Sequence, residues 1–450
     1  MARISDLTTG SIGKKLIGFS APIILSNLIQ AVYGIVDMVT VGQFVGSSGM
    51  SAVSMGAQIT NVILLLTNGL SNGGTVIAAQ LAGQGRRERI SHVLGTMLTF
   101  FTIIAVAITA LTMTLARPLL RVINTPEVAF EQAVYYLLIC AAGTIFVYLY
   151  NCMTALLRGL GDSRTPMIIV IISVILNIIL DLLFIVVFHW GAVGAALATI
   201  LCQMVSALLL ATYIAKKTDL FDFRLSSFCI NKEYLRLIVK IGLPQSIQFL
   251  FASSSYVFLS SLVNLYGVEA SAAAGAAAKI QTIAGLPAQG MMLGLMTATA
   301  QNLAAGQPKR VTKGMGVGMV FSGIIGLFIF ALCMIFPATA FRLFTPDAAV
   351  AAAGIGYLRY MAASFVMEAL LFCMFGVISG SGYTIVTMFC GILSAFVARY
   401  SCAFLFSNVL GMGFNGIGLS YLAAPLITST VCAVFLLTGK WKSSRVTVKK

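Results

Sequence analysis

The chain has 450 residues, of which 59% are hydrophobic and 9% are charged, with a formal net charge of +15. Soluble domains normally carry about 25% charged residues, so this composition excludes a soluble protein and predicts an all-α polytopic membrane protein. The nine cysteines stand singly, and His92 and His189 have no metal-ligand spacing with them. We therefore expect no cofactor.

Twelve apolar runs are long enough to cross ~30 Å of hydrocarbon as helices. They lie at 16–40, 51–79, 90–116, 131–155, 166–188, 191–214, 235–264, 271–300, 313–336, 348–377, 384–408 and 416–439. Lysine and arginine are concentrated in alternate connections, whereas the opposite side holds only Arg117, Arg121, Arg342 and Arg359. The positive-inside rule predicts a plasma-membrane protein with both termini in the cytoplasm. The basic charge thus indicates how the chain is oriented in a lipid bilayer, which is its expected partner. It does not indicate binding to nucleic acid.

The sequence repeats itself with a nearly constant offset, which places Gly46 on Gly267 and Gln80 on Gln301. In the same register, "AGQGRRE" resembles "AGQPKRV". The offset drifts slightly late in each half, as insertions in loops would produce. Two repeats with an even number of helices enter the membrane the same way up, which predicts two six-helix bundles related by a pseudo-two-fold axis along the membrane normal. We expect a monomer with lobes at 1–214 and 235–450, joined by a cytoplasmic linker at 215–234.

The first predicted helix carries an acid, Asp37, with Tyr33 and Gln30 on the same face. Because a charge at the centre of a lipid-spanning helix costs roughly 2.5–3.5 kcal/mol, Asp37 is a candidate functional residue. Gln30 and Tyr33 are weaker candidates for a substrate or second site. Pro22 in this helix and Pro244 in the seventh occupy equivalent positions. Each is either a static kink or a hinge that responds to ion binding.

The fourth helix contributes Asn151 as a further candidate for a substrate site. The stretch "RGLGDSRTP" that follows contains the G-x-G-D pattern of intramembrane aspartyl proteases. That chemistry needs a second acid facing Asp162 within the bilayer, and the sequence offers none. We therefore expect no enzyme, and this protease is a distant alternative.

The fifth helix carries Asn177 and Asp181 one turn apart, and the sixth carries Thr199. Together with Asp37, these residues supply the oxygen ligands that a hard cation prefers, so they are candidates to bind Na⁺ or H⁺. Alternatively, the acids are hydrogen-bonded links between helices. Neither acid has a counterpart in the second half, and no basic residue lies well inside a span of the first half. This asymmetry favours a cation site.

The second half has a single acid well inside a span, Glu368 in the tenth helix. The only basic residues well inside spans are Lys279 and Arg399. Glu368 either serves a second ion or drug site or pairs with one of these two cations. The residues leave these alternatives open.

The stretches "KLIGFSAPIILSNL", "VDMVTVGQFVG" and "LLRGLGDSRTPM" occur in this order. In order and spacing they resemble the multidrug and toxic compound extrusion (MATE) family over nearly the whole chain. The resemblance implies a cation-coupled antiporter that exports drugs, organic cations and other amphipathic small molecules. In the branch with a helix-1 aspartate and N-x-x-x-D in helix 5, it places the cation site on Asp37, Asn177, Asp181 and Thr199. The acid that another branch carries in helix 7 is absent from "FLFASSSYVFLSS".

A flippase of lipid-linked sugars shares this architecture and is the second candidate, and a passive channel is the third. The sequence contains no G-x-x-x-x-G-K-[ST] motif for ATP. We therefore expect an ion gradient to drive transport, with H⁺ and Na⁺ both open.

Overall fold

The computed structural model describes residues 6–217, 221–345 and 347–444 of the chain. Nearly all of this part is α-helical, and it contains no β-strand. The twelve long helices are α1 (Ile12–Phe44), α2 (Gly46–Gly83), α3 (Ile90–Val122), α4 (Glu127–Gly159), α5 (Arg164–Val187), α6 (Gly191–Lys217), α7 (Lys232–Val263), α8 (Val268–Ala304), α9 (Pro308–Ile335), α10 (Ala348–Gly380), α11 (Thr384–Val409) and α12 (Phe414–Leu437). Each overlaps one predicted apolar run, so the predicted all-α membrane class is confirmed. Both predicted cytoplasmic termini and part of the predicted linker (218–220) lie outside the described residues.

Within the described ranges, eleven helices are both long and apolar enough to cross a membrane. The remaining one, α8, has 37 residues and is long enough, but many of them are alanine, glycine or polar. At 1.5 Å per residue, helices of 33 to 38 residues such as α1 and α2 are longer than the ~30 Å of hydrocarbon. Their ends therefore extend beyond the hydrocarbon, or the helices tilt.

The contacts between residues group the chain into two compact units. Unit 1 contains residues 25–243, with α4 at its centre against α2, α3 and α6. The first part of α7 packs closely on α2: a Cβ added to Gly242 would lie 2.6 Å from the Cα of Leu70. Small residues allow this approach of two backbones, as in many membrane-helix pairs.

Unit 2 contains residues 7–24 and 244–444 of the described chain, with α10 against α8, α9 and α12. The segment before α1 is fixed within this unit by Arg310, whose guanidinium donates to the backbone carbonyls of Leu7, Thr9 and Gly10 over 2.6–3.2 Å. The first half of α1 packs on α8, where a Cβ on Gly290 would lie 2.5 Å from the side chain of Ile24. The units thus divide α1 after Ile24 and α7 before Pro244, whereas the predicted lobes 1–214 and 235–450 keep both helices whole.

The internal repeat is visible in the backbone hydrogen bonds that follow α4 and α10. After α4, the N–H of Asp162 donates to the carbonyl of Leu157. After α10, the N–H of Tyr383 donates to the carbonyl of Ile378, which is the equivalent bond of the second repeat. Both turns therefore have the same geometry, in the register in which Gly46 lies on Gly267.

The register changes between these turns and the ends of α5 and α11. There the N–H of Phe188 donates to the carbonyl of Leu183, and the N–H of Leu410 to that of Leu405. In these two bonds, each residue of the second repeat lies one position farther from its counterpart in the first repeat than it does in the two turns. The predicted drift from loop insertions is therefore wrong here, because the extra residue lies within α11. Its π-helical stretch Leu393–Tyr400 has wider turns, which accommodate an added residue without breaking the helix.

Candidate functional site

The two acids of unit 1 lie on α1 and α5. Asp37 and Tyr33 are one turn apart on α1, and both are half-buried. Asn177 and Asp181 are one turn apart on α5, with only 4% and 3% of their surface exposed. The i, i+4 spacing places each pair on one side of its helix. The structure therefore brings polar side chains into the interior of a unit built from apolar helices.

The hydrogen bonds of these acids are incomplete. The Asn177 amide donates to Oδ2 of Asp181 over 3.5 Å, at the long limit of a hydrogen bond. The Oδ1 atoms of Asp37 and Asp181 are buried and accept no hydrogen bond from any described residue. Among the ion pairs of the described chain, none includes either acid. Buried carboxylate oxygens without a donor are costly, so these atoms favour a ligand that supplies positive charge.

The pairs on α1 and α5 approach each other and α6. The carboxylates of Asp37 and Asp181 interact electrostatically. Tyr33 interacts with both carboxylates and with the hydroxyl of Thr199. The Tyr33 hydroxyl is itself buried and forms no hydrogen bond of good geometry with the described residues. Five of the predicted residues, Asp37, Asn177, Asp181, Thr199 and the weaker candidate Tyr33, thus fall in one cluster.

The backbone changes character directly after the second acid. Asp181 is the last residue of the α-helical part of α5, and Leu182–Val187 continues as a π-helix. A π-helical turn bonds each N–H to the carbonyl five residues earlier and often marks a functional site. The arrangement gives the segment after Asp181 a different helical pitch from the segment that carries Asn177.

Three further residues belong to this cluster and were not predicted. Tyr136 and Cys140, one turn apart on α4, both interact with Asp37. Cys202 on α6, three residues after Thr199, interacts with Asp181. Tyrosine and cysteine are common packing residues of apolar helices, so their types gave no signal. The one signal in the sequence was their helical spacing from neighbouring polar residues, which places them on the same face of the helix as those residues.

Two other candidates have different surroundings. Gln30 lies on α1 with an exposed side chain. Asn151 is half-buried on α4, and its amide donates to the carbonyl of Val147 in the same helix over 2.9 Å. Neither residue has a described contact with the acids of unit 1.

Asp162 has a structural role in the turn before α5. It is 4% exposed, and its carboxylate accepts hydrogen bonds from the backbone N–H groups of Arg164 and Thr165. The hydroxyls of Thr165 and Tyr213 donate to its second oxygen over 2.7 and 3.1 Å. These bonds satisfy the free N–H groups at the start of a helix and tie the turn to α6.

In unit 2, the structure shows which of the two basic residues lies opposite Glu368. Its carboxylate lies 3.9 Å from the guanidinium of Arg399, whereas Lys279 is exposed. Glu368 therefore pairs with Arg399.

The two prolines differ in surroundings, since Pro22 is buried in α1 and Pro244 is half-buried in α7.

The cluster of unit 1 has the chemistry of a cation site. Two carboxylates, the amide oxygen of Asn177 and the hydroxyls of Tyr33 and Thr199 are the donor types that Na⁺ prefers, and the carboxylates also accept H⁺. Among the described residues, no group of three or more His, Cys, Asp or Glu is placed to hold a metal ion. Oxygen donors, rather than the nitrogen and sulfur ligands of transition metals, dominate this cluster.

Known proteins resemble this chain over nearly its full length. The probable multidrug resistance protein YpnP of Bacillus subtilis (strain 168) is 29% identical over 449 residues, which cover 99% of each chain. The probable multidrug resistance protein NorM of Thermotoga maritima is 26% identical over 98% of this chain and 95% of its own. The solved outward-facing structure of a multidrug resistance MATE family transporter has 24% identity and a TM-score of 0.93, over 98% of this chain and 99% of that one.

The family model named MatE matches this chain twice, at residues 22–183 and at residues 244–405. The two matches begin at Pro22 and at Pro244, in the corresponding helices α1 and α7, in agreement with two repeats in the chain. Together they cover more than half of the sequence. The chain therefore belongs to the MATE family.

Proposed function

We propose that this chain exports amphipathic and cationic small molecules, drugs among them, across the plasma membrane in exchange for an inward-moving H⁺ or Na⁺. Relatives that bear the names multidrug resistance protein and multidrug export protein support this class of substrate. The positive-inside distribution of charge supports cytoplasmic termini. The chain acts as a monomer and belongs to the branch with an aspartate in helix 1 and N-x-x-x-D in helix 5.

A single observation carries the coupling mechanism: Asp37 and Asp181 share one buried cluster that has no basic partner among the described residues. When both are ionised they repel each other in a medium of low dielectric constant. A bound proton or sodium ion removes that repulsion. Binding then favours whichever packing of α1 and α5 brings the donors together, and release favours the other packing.

The energy available from such an exchange is sufficient for export. One positive charge that moves inward across 100 mV releases about 2.3 kcal/mol. At about 1.4 kcal/mol per tenfold ratio, this supports a gradient of roughly fifty-fold for a neutral substrate. Transport rather than proteolysis is also favoured by Asp162, since its oxygens are occupied by hydrogen bonds to the turn and to α6.

The proposal is tested by export of ethidium from inverted vesicles under a sodium gradient or a proton gradient, each imposed alone. We expect the parental protein to respond to at least one gradient. Asp37→Asn and Asp181→Asn should each abolish this response while the protein still accumulates in the membrane. The matched control is Glu131→Gln, because Glu131 lies in the same unit but is exposed and pairs with exposed Arg117. Parental export by either aspartate variant would assign that acid a structural role and reject the coupling mechanism.

A further inference from the structure

Unit 2 contains a second polar cluster, centred on Arg399 of α11. The guanidinium carbon lies 5.1 Å from the centres of two tyrosine rings, Tyr256 of α7 and Tyr421 of α12. Its nearest acidic oxygen belongs to Glu368, 3.9 Å away. The same Glu368 oxygen accepts a hydrogen bond of 3.3 Å from the amide of Gln281. Both charges of the cluster are thus held between aromatic and amide side chains.

The guanidinium of Arg399 interacts with Tyr256 as well as with Glu368, but its hydrogen bonds are incomplete. Arg399 is 7% exposed, and its buried Nε donates no hydrogen bond to any described residue. The 3.9 Å separation from Glu368 is too long for a hydrogen bond, so the bidentate geometry that arginine makes with carboxylates is not formed. The side chains of Arg399 and Glu368 retain 8% and 14% of their surface accessible. A charged group in a membrane interior that is both costly and incompletely paired indicates a functional site.

The repeat shows that this cluster is the counterpart of the cation cluster in unit 1. In the register that places Leu183 on Leu405, which holds after the π-helical stretch of α11, Tyr421 corresponds to Thr199. Arg399 lies in the stretch where the register changes, opposite Asn177 or Ile178. The extra residue of the second repeat is accommodated in the π-helical stretch that contains Arg399. The same place in the fold therefore holds two acids in one unit and a cation with a single acid in the other.

The rings beside Arg399 are fixed by their own packing. The Tyr421 ring meets the Tyr357 ring edge to face at 6.2 Å, and Tyr357 stacks on Phe414 at 4.5 Å. Such pairs hold aromatic side chains in one orientation. The cluster thus presents two opposite charges and fixed aromatic faces.

A ligand of one charge meets a like charge in this cluster. A cation that binds Glu368 lies near Arg399, and an anion that binds Arg399 lies near Glu368. A zwitterion pairs both charges, and an attached aromatic ring stacks on tyrosine. We propose that this cluster binds zwitterionic aromatic substrates, with the ligand carboxylate on Arg399 and the ligand ammonium on Glu368. This inference rests on the proposed export function and specifies a class of substrate for it.

Binding of tritiated 2-naphthylalanine to the purified protein tests the proposal, with its methyl ester and its N-acetyl derivative as unlabelled competitors. These three compounds share one ring system and differ in charge: zwitterion, cation and anion. The parental protein should bind the zwitterion about tenfold more tightly than either singly charged derivative, since each of those leaves one protein charge unpaired. Equal affinity for all three compounds, or no binding, would overturn the proposal.

Substitutions separate a binding role from a purely structural ion pair. Arg399→Gln alone leaves Glu368 buried without its partner and can reduce folding. The double variant Glu368→Gln with Arg399→Gln removes both charges, so it should fold and bind the methyl ester, but it should lose the tenfold preference for naphthylalanine. Retention of that preference by the double variant would show that the pair is structural. Ethidium export by the parental protein, measured alongside, reports separately on the proposed function.

Discussion

Buried charges are distributed differently in the two units. In unit 1, Asp37 and Asp181 have no ion-pair partner among the described residues, whereas in unit 2 Glu368 faces Arg399 at 3.9 Å. An unpaired buried acid is stable only when a proton or cation accompanies it. Unit 1 therefore suits exchange with an ion, and unit 2 carries its own cation.

Asn177 should tune the affinity of the site rather than create it. Its amide is the only described hydrogen-bond donor to Asp181, and it is also an oxygen ligand next to the acid. We expect Asn177→Ala to raise the ion concentration for half-maximal ethidium export roughly fivefold, as expected from the loss of about 1 kcal/mol. The maximal rate should change little. An unchanged half-maximal concentration would exclude Asn177 from the site.

Sequence alone predicted Asp37, Asn177, Asp181 and Thr199 because polar residues are rare and costly in apolar helices. The structure places these four together. The same reasoning left open the partner of Glu368, since sequence separation does not indicate which of two cations lies opposite an acid.

Two aspartates cap helical or turn structure but differ in burial. Asp162 is buried and anchors the start of α5, whereas Asp222 is exposed and accepts hydrogen bonds from Ser227 and from the backbone of Arg224. The Ser227 hydroxyl and the Arg224 N–H hold the pKa of Asp222 below its usual range. The stabilisation that results is present above the ordinary aspartate pKa and is lost as the pH falls through the lowered value.

We therefore expect Asp162→Ala to reduce the free energy of unfolding by about 1–3 kcal/mol, because it leaves buried donors without acceptors. Asp222→Ala at pH 7 should have a smaller effect, since water replaces the lost acceptor. Thermal unfolding of the purified variants, followed by fluorescence-detected gel filtration, measures both. The folded fraction of Asp162→Ala should still export ethidium; complete loss of export would give Asp162 a role beyond anchoring the turn.

Close packing of α1 on α8 depends on a glycine. A Cβ at Gly290 would lie 2.5 Å from the side chain and 3.1 Å from the backbone of Ile24, whereas no atom lies within 4 Å of a Cβ at Gly275 in the same helix. Gly290→Ala should destabilise the protein by about 1–3 kcal/mol because the backbone must move, and Gly275→Ala should not. Equal melting temperatures for the two variants would contradict this packing.

The positions of the helices followed directly from apolar length and charge. The extra residue of the second repeat did not, because an insertion is recognised in sequence only as a change of register. The backbone hydrogen bonds at the ends of α5 and α11 show that the extra residue lies within α11. The division of α1 after Ile24 was likewise hidden, since apolar residues on both sides of Pro22 read as one continuous span.

At the scale of the whole molecule, the repeat and the charge pattern make a prediction about topology. Cys229 is the exposed cysteine among the nine described, and it lies in the connection before α7. A membrane-impermeant maleimide should label it only from the cytoplasmic side. In a Cys229→Ser background, Lys309→Cys should react from the same side and Glu269→Cys from outside. Labelling of Cys229 from outside would reverse the predicted orientation.

The central claim is that Asp37 and Asp181 bind the coupling ion jointly, and reverse coupling tests it most directly. Proteoliposomes are loaded with ethidium without any ion gradient, and H⁺ or Na⁺ movement is followed as the drug leaves. Because coupling is reciprocal, the parental protein should move one of these ions against the drug flux. Asp37→Asn, Asp181→Asn and the double variant should all abolish this movement to the same extent. Drug-driven ion movement that persists in either single variant would contradict a joint site.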